Sequence, residues 1–390
     1  MPRPTVRVAT AHLAPTLLDP AATTATILDT IAQASSQQAS LIAFPESFLP
    51  GFPIWSALLP PTHHSTHTFF TRFAEASVYA DGPELQAIRA AAKKHRISVS
   101  LGFSEKARYS SGTLWNSNII IDSAGEVRVH HRKLVPTFYE RLSWGAGDGK
   151  GLETVAIDVV DAAKDAQIGT ATSHEPSAAS APTDRVNIGA LICGENTNPL
   201  ARYAMMAQGQ DIHISSWPAV WPTRMPVATA NDDTGNATGK NYDNVLANRL
   251  RAAAHCFEAK CFGIMSAAHL SEANIATLTA LLPPDDEATK KTFDHALRHT
   301  SRAASMVLDP TGSPVPAWVV DAQGRREERE MLREEEAVLF ADLNLDAGVE
   351  GKQFHDLVGG YQRFDVFELK VDRTRREPVV FGGLGGGPVG

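Results

Sequence analysis

The stretch Val186-Asn187-Ile188-Gly189-Ala190-Leu191-Ile192-Cys193-Gly194-Glu195-Asn196-Thr197-Asn198-Pro199 decides how this chain is read. Residues 186–192 form an apolar run of strand length, and the run stops at a thiol. Pro199 then opens a helical pattern over 199–207, since proline is favoured at the first helical position. A cysteine between a strand end and a helix start sits near free backbone N–H groups, where a thiolate or a developing anion is stabilised. That placement suits a nucleophile.

Two more strand-like runs end in reactive side chains. Residues 40–44 lead into Phe44-Pro45-Glu46-Ser47, and 127–129 lead into His131-Arg132-Lys133-Leu134-Val135-Pro136-Thr137. A carboxylate, an amine and a thiol therefore each follow a strand end, where site residues converge in α/β sheets. Cys256 and Cys261 have no such company: one falls in the helical pattern and the other opens the apolar run 261–267, so both read as packing. His130 and His131 are adjacent, and neighbours on a strand point to opposite faces, so the pair is not read as a metal site. The glycines of 145–151 match neither dinucleotide nor phosphate-loop spacing and read as a turn-rich loop.

Elsewhere the pattern alternates between periods. Strands are expected at 6–11, 41–44, 98–103, 155–159, 212–216, 305–308 and 338–343, and helices at 21–36, 83–95 and 242–260. Residues 118–129 read as a hairpin turned at Ser123-Ala124-Gly125-Glu126. Such mixed alternation indicates α/β layers around sheets. Residues 161–185, rich in Ala, Ser, Thr and Pro, read as a mobile surface insertion, and the Gly-rich end 373–390 as a disordered tail. What remains, 1–372, is one domain. The chain has 390 residues, 43% of them hydrophobic, and a formal net charge of -8, so it can bury a large core and offers no basic surface for nucleic acid. Three cysteines do not make a disulfide framework, and no stretch reads as a signal peptide or membrane span, so the cytoplasm is the expected compartment.

At this point the chain resembles the nitrilase superfamily of carbon–nitrogen hydrolases, its true nitrilase branch in particular. The likeness rests on Phe44-Pro45-Glu46, His131-Arg132-Lys133-Leu134 with Pro136-Thr137, Glu140-Arg141, Trp144-Gly145-Ala146-Gly147-Asp148-Gly149, the block from Cys193 to Tyr203, and His213-Ile214-Ser215-Ser216-Trp217-Pro218. It implies a four-layer αββα sandwich, a Glu46–Lys133–Cys193 triad with Glu140 as a further carboxylate, and no cofactor or metal. It also implies a homo-oligomer built from dimers, extending to a helical filament. A nitrile carbon is a weak electrophile, so attack needs a thiolate and a base, Glu46. The nitrogen then becomes anionic, and Lys133 with the Gly194 N–H can stabilise it. Glu140 would fix Lys133, and the two carboxylates and the amine must perturb one another. Phe52, Trp144 and Trp217 are candidate pocket walls, Phe52 and Trp144 reading equally well as core. Glu195 and His131 are candidate supports, Glu195 orienting Lys133 or loop amides. Nitrile hydrolysis to acid and ammonia is the expected activity, on arylacetonitriles or aliphatic nitriles. Hydration of hydrogen cyanide to formamide and a catalytically silent assembly protein are the alternatives; amidase branches fit less well.

Overall fold

The computed structural model describes residues 3–162, 184–224, 243–376 and 378. Its strands are β1 (Thr5–His12), β2 (Leu41–Ala43), β3 (Ser98–Lys106), β4 (Leu114–Ile121), β5 (Val127–Arg132), β6 (Val155–Val159), β7 (Asp184–Ile192), β8 (Ile212–Trp217), β9 (Phe262–Ala267), β10 (Ser305–Leu308), β11 (Ala317–Val320), β12 (Arg326–Glu328), β13 (Met331–Leu332) and β14 (Ala337–Asn344). The helices are α1 (Pro20–Ser36), α2 (Trp55–Leu58), α3 (His64–Ala76), α4 (Pro83–His95), α5 (Pro199–Met206), α6 (Asn244–Ala259), α7 (Glu272–Ala280), α8 (Glu287–His299) and α9 (Asp346–Lys352).

The strands form two sheets, ordered β12-β11-β14-β1-β2-β3-β4-β5 and β13-β10-β9-β8-β7-β6. Parallel pairing runs β1–β2–β3 in the first and β7–β8–β9 in the second. The side-chain period of two then builds the layers. In β1, Val6 and Val8 enter the core between the sheets, while Ala9 and Ala11 pack with Ile27 and Ile31 of α1 and Leu85 and Ile88 of α4. In the second sheet Ile188, Ile212 and Ile264 face the first, while Met265 packs outward on Ala252 and Cys256 of α6. Strands buried on both faces explain the continuous apolar runs. The expected αββα sandwich is the observed one. Each fully buried Val, Ile or Leu of the inner core contributes about 1.5–3 kcal/mol relative to exposure, so the two sheets are held together strongly.

Local signals set the ends. Asp19 accepts from the Ala22 amide at 2.9 Å and Pro20 follows it, so α1 begins there. Asp243 caps Val245 and Leu246 at 3.0 and 3.2 Å, which moves the start of α6 from the expected 242 to Asn244. Five helices, α2, α3, α7, α8 and α9, were not expected from sequence. α3 is rich in Thr, His and Phe, poor helix formers, and packing supports it: Phe69 stacks on Trp55 at 5.2 Å, and Phe293 of α8 on Phe69 at 6.0 Å. α7, with Ile275 and Leu278 buried, joins the same cluster.

Residues 163–183 of the expected insertion and most of the expected tail lie outside the described residues. At their edges the chain is tied down. Asp161 accepts from the Thr5 amide at 3.1 Å, and Asp184 opens β7. Arg375 donates to the His130 carbonyl at 2.8 Å and pairs with Asp148 at 3.3 Å, so residues 373–376 of the expected tail lie against the domain. Among the described residues, no helix is long and apolar enough to cross a membrane.

Candidate active site

Glu46 follows β2 by three residues. Gly102 of β3 packs directly beneath it: a Cβ there would lie 2.2 Å from the Pro45 carbonyl and 2.8 Å from the Glu46 Cα. Lys133 follows β5 and is placed by its amide, which donates to the Asn116 carbonyl of β4 at 2.8 Å. Its ammonium donates to Glu46 Oε1 at 2.8 Å and to Glu140 Oε2 at 2.6 Å, with all three side chains buried. Cys193 begins a 3-10 turn, Cys193–Thr197, with φ of 49°, a left-handed conformation costly outside glycine. Its Sγ and a carboxylate oxygen from each of Glu46 and Glu140 lie within 4.8 Å of one another. Such a trio could ligate a cation, but the Lys133 ammonium between the carboxylates is itself the cation of the cluster.

The two carboxylates are not equivalent. Glu140 also accepts from the Thr137 amide at 2.9 Å and from Trp221 Nε1 at 3.0 Å, so both its oxygens are occupied. Glu46 Oε1 accepts from Asn116 and Lys133, whereas Oε2 is buried with no hydrogen-bond partner. An orphaned carboxylate oxygen is where a proton is best taken up. Burial, reinforced by Glu140, pushes Glu46 up to about 7 against the pull of Lys133. Burial works against the charge on Lys133, but Glu140 and Glu46 outweigh it and hold the amine well above its usual value. Burial, then Glu46, raises the Cys193 thiol well above its usual range, so the resting sulfur carries its proton.

Glu195 ties the loops together. It accepts from the Leu134 amide at 2.6 Å and from the Ile192 amide at 2.9 Å, the residues just after Lys133 and just before Cys193. His131 Nε2 lies 2.9 and 3.0 Å from its two oxygens. Burial would raise Glu195, but His131 and the two amides hold it below the ordinary carboxylate value. His130 points the other way, to Glu105 at 2.8 Å.

A second network, missed in sequence, backs the Cys193 turn. Asn196 Nδ2 donates to the carbonyls of Leu191 and Cys193, at 3.1 and 3.0 Å. Its Oδ1 is 2.8 Å from His213 Nε2, and His213 Nδ1 is 3.1 Å from Gln210 Nε2, whose Oε1 is 2.8 Å from His255 Nε2. Donor and acceptor roles then fix both rings with the proton on Nε2. The rings stack at 3.6 Å and burial drives His213 down to about 3, so both are neutral. His213 had entered only as part of a strand and motif block and His255 only as a helix position, and Gln210 not at all.

The thiol opens onto a cavity of about 330 Å³ whose wall includes Gly194, Thr137, Trp217, Trp221, Asn248 and Arg251. Of the candidate pocket residues, Trp217 and Gly194 lie on this wall. Phe52 and Trp144 are not: they pack edge to face at 5.6 Å in the aromatic core with Phe73, and Trp144 Nε1 donates to Ser104 at 2.9 Å. Of the two sequence readings for that pair, core is the one observed. The helix face carrying Asn244, Asn248 and Arg251 was also missed, although its i, i+4, i+7 spacing was available to find it.

The carbon-nitrogen hydrolase family profile matches residues 7–350, and the chain belongs to that family. It is 29% identical to a nitrilase of Paraburkholderia phymatum over 96% of this chain and 89% of that one. It is also 29% identical to an arylacetonitrilase of Fusarium vanettenii, over 96% and 95% of the two chains. Among solved structures, a carbon-nitrogen hydrolase of Helicobacter pylori aligns at 14% identity with a TM-score of 0.60, covering 93% and 97% of the two chains. A Saccharomyces cerevisiae member of the nitrilase superfamily aligns at 15% and 0.57, covering 94% and 98%. These two show the shared fold.

Proposed function

We propose that this protein is a nitrilase that converts an organic nitrile and two waters into a carboxylic acid and ammonia. The observation that carries the reading is the buried cluster of Glu46, Lys133, Glu140 and the protonated Cys193 thiol, of which Cys193 lines the cavity. Glu46 Oε2 takes the thiol proton as sulfur attacks the nitrile carbon, forming the S–C bond and breaking one C–N π bond. The anionic nitrogen is stabilised by Lys133 and the Gly194 N–H, then takes the proton held by Glu46 to give a thioimidate, which returns Glu46 to its carboxylate form. Water, activated by Glu46, adds to that carbon. The C–N bond breaks and ammonia leaves, giving a thioester. A second water cleaves the S–C bond, releasing the acid and returning the thiol. Glu140 holds Lys133 in place throughout.

Arylacetonitriles suit the site: relatives bear that name, and the wall offers Trp217 and Trp221. A cavity of about 330 Å³ far exceeds the volume of hydrogen cyanide, which favours organic nitriles over cyanide hydration. The catalytic unit is residues 1–372, in a cytoplasmic homo-oligomer. Supporting assembly, the chain after α9 presents Phe354, Tyr361, Phe364 and Phe367 to solvent, each 62% exposed or more, an apolar surface that a second copy would cover. The deciding assay is ammonia and phenylacetic acid from phenylacetonitrile, against formamide from cyanide, with Cys193→Ala as the inactive control. Turnover that persists in Cys193→Ala would overturn the reading.

A further inference from the structure

Three residues of α6 face the Cys193 cavity at helical spacing, Asn244, Asn248 and Arg251. Asn244 is committed to structure, its side chain donating to the Ser301 carbonyl at 2.6 Å. The other two are not. Arg251, half-buried, has no ion pair and no hydrogen bond among the described residues; its guanidinium lies over the face of Trp217, 5.4 Å from the ring centroid. Asn248, buried, has an amide with no hydrogen-bond partner among the described residues. Trp217 itself packs against Cys193, so the cation stands one indole away from the nucleophile. Compare Arg7, Arg132 and Arg298, each held by a carboxylate at 2.5–2.8 Å. A guanidinium stacked on an indole has its planar fork preset, and apolar walls strengthen whatever anion it meets. A neutral aromatic or alkyl nitrile gives that cation nothing to pair with.

We propose that Arg251, assisted by the Asn248 amide, is the specificity-determining residue of the pocket, and that the preferred substrates are nitriles carrying a carboxylate at the end remote from the cyano group. This rests on the nitrilase reading and narrows it. The reaction then turns a mono-anion into a dicarboxylate: the new carboxylate forms at Cys193 while the old one stays on Arg251. An enzyme of this kind would act after a step that leaves a free acid on a cyano compound.

The test uses the full-length protein and a matched pair, 4-(cyanomethyl)benzoate and its neutral isostere 4-(cyanomethyl)benzamide. A charged hydrogen-bonded contact should favour the benzoate in kcat/KM by about tenfold or more, and Arg251→Met should bring the ratio close to one. Arg251→Lys should keep part of it, because charge survives while the fork is lost. Should the variants fail to fold, the wild-type enzyme still answers: the unreactive 4-methylbenzoate should inhibit competitively and 4-methylbenzamide weakly, with the difference shrinking as salt is raised. A wild type that turns over both nitriles with no preference, or variants that slow both equally and leave the ratio intact, would overturn the Arg251 assignment while leaving the nitrilase reading standing. Turnover of neither nitrile, nor of phenylacetonitrile, would overturn both.

Discussion

Replacing Glu195 by Gln keeps the shape of the side chain and changes one oxygen into a donor. Oε1 serves Leu134 N at 2.6 Å and Oε2 serves Ile192 N at 2.9 Å, with His131 Nε2 shared between them. Whichever way the amide sits, one backbone N–H faces an NH₂ group. The change loses a charge-assisted hydrogen bond, about 1.5–3 kcal/mol, and leaves buried donors opposed, a further 1–3, so about 3–5 kcal/mol is a fair total. With an unfolding entropy of about 2.1 cal/mol/K per residue over 390 residues, the melting temperature should fall by about 4–6 °C. The catalytic cost should be larger in proportion. Relief of the clash moves either the Lys133 or the Cys193 loop, and a displacement of about 1 Å costs about 10²-fold in rate. Because its folded value is held below the ordinary one, the wild-type carboxylate stabilises the fold at neutral pH, and that stabilisation is lost as pH falls through the lower folded value. Calorimetry together with ammonia-release kinetics reads both effects. A variant that melts as expected but retains kcat/KM within about threefold of wild type would show that Glu195 supports the fold without spacing the two loops.

Further changes probe the same cluster. Lys133→Arg retains charge but puts a wide fork between two carboxylates spaced for an ammonium, and ammonia release should fall by about 10² or more; a near-normal rate would make Lys133 structural. Since Glu46 is raised to about 7 and acts as a base once its proton is gone, kcat/KM should climb with pH and level off above about 7, and a profile flat across about pH 6 to 8 would contradict that role. Its effect on stability has the opposite sign, being fully present below the ordinary 4.5 and lost as pH rises through about 7. Gly102→Ala drives a methyl into the Pro45 carbonyl and the Glu46 backbone, so it should reduce turnover about 10²-fold although it touches no substrate, and the crystal structure of the variant should show Glu46 displaced from Lys133.

Most of the strands, β11 to β13 excepted, and the three candidate site residues were legible because each obeys a local rule. Runs 155–159 and 305–308 match their strands end for end, being apolar and sharply bounded. Glu46, Lys133 and Cys193 each stand just beyond a strand end, and the sheet order brings those ends together. The rest depends on three-dimensional neighbours that spacing does not encode. Nothing local shows that Phe52 and Trp144 turn toward each other and not toward the thiol. Nor does it show that Gln210 and His213 at β8 meet His255, which is 42 residues or more further along the chain, in a stack behind Cys193. α3 escaped because packing among its aromatic residues, not helix propensity, supports it. By contrast α8, capped by Asp286 and rich in Glu, Ala, Lys and Leu, carries a helical signal that was overlooked.

Glu46 and Lys133 hang from the eight-stranded sheet and Cys193 from the six-stranded one, so the groups proposed to react lie on opposite sides of a seam. Turnover is therefore a gauge of how well two hydrogen-bonded sheets are seated on each other. Either sheet, however well formed alone, holds only part of the chemistry. A loosened interface would silence the enzyme while its far-ultraviolet circular dichroism stayed native, so inactivation on heating should run ahead of the loss of secondary structure.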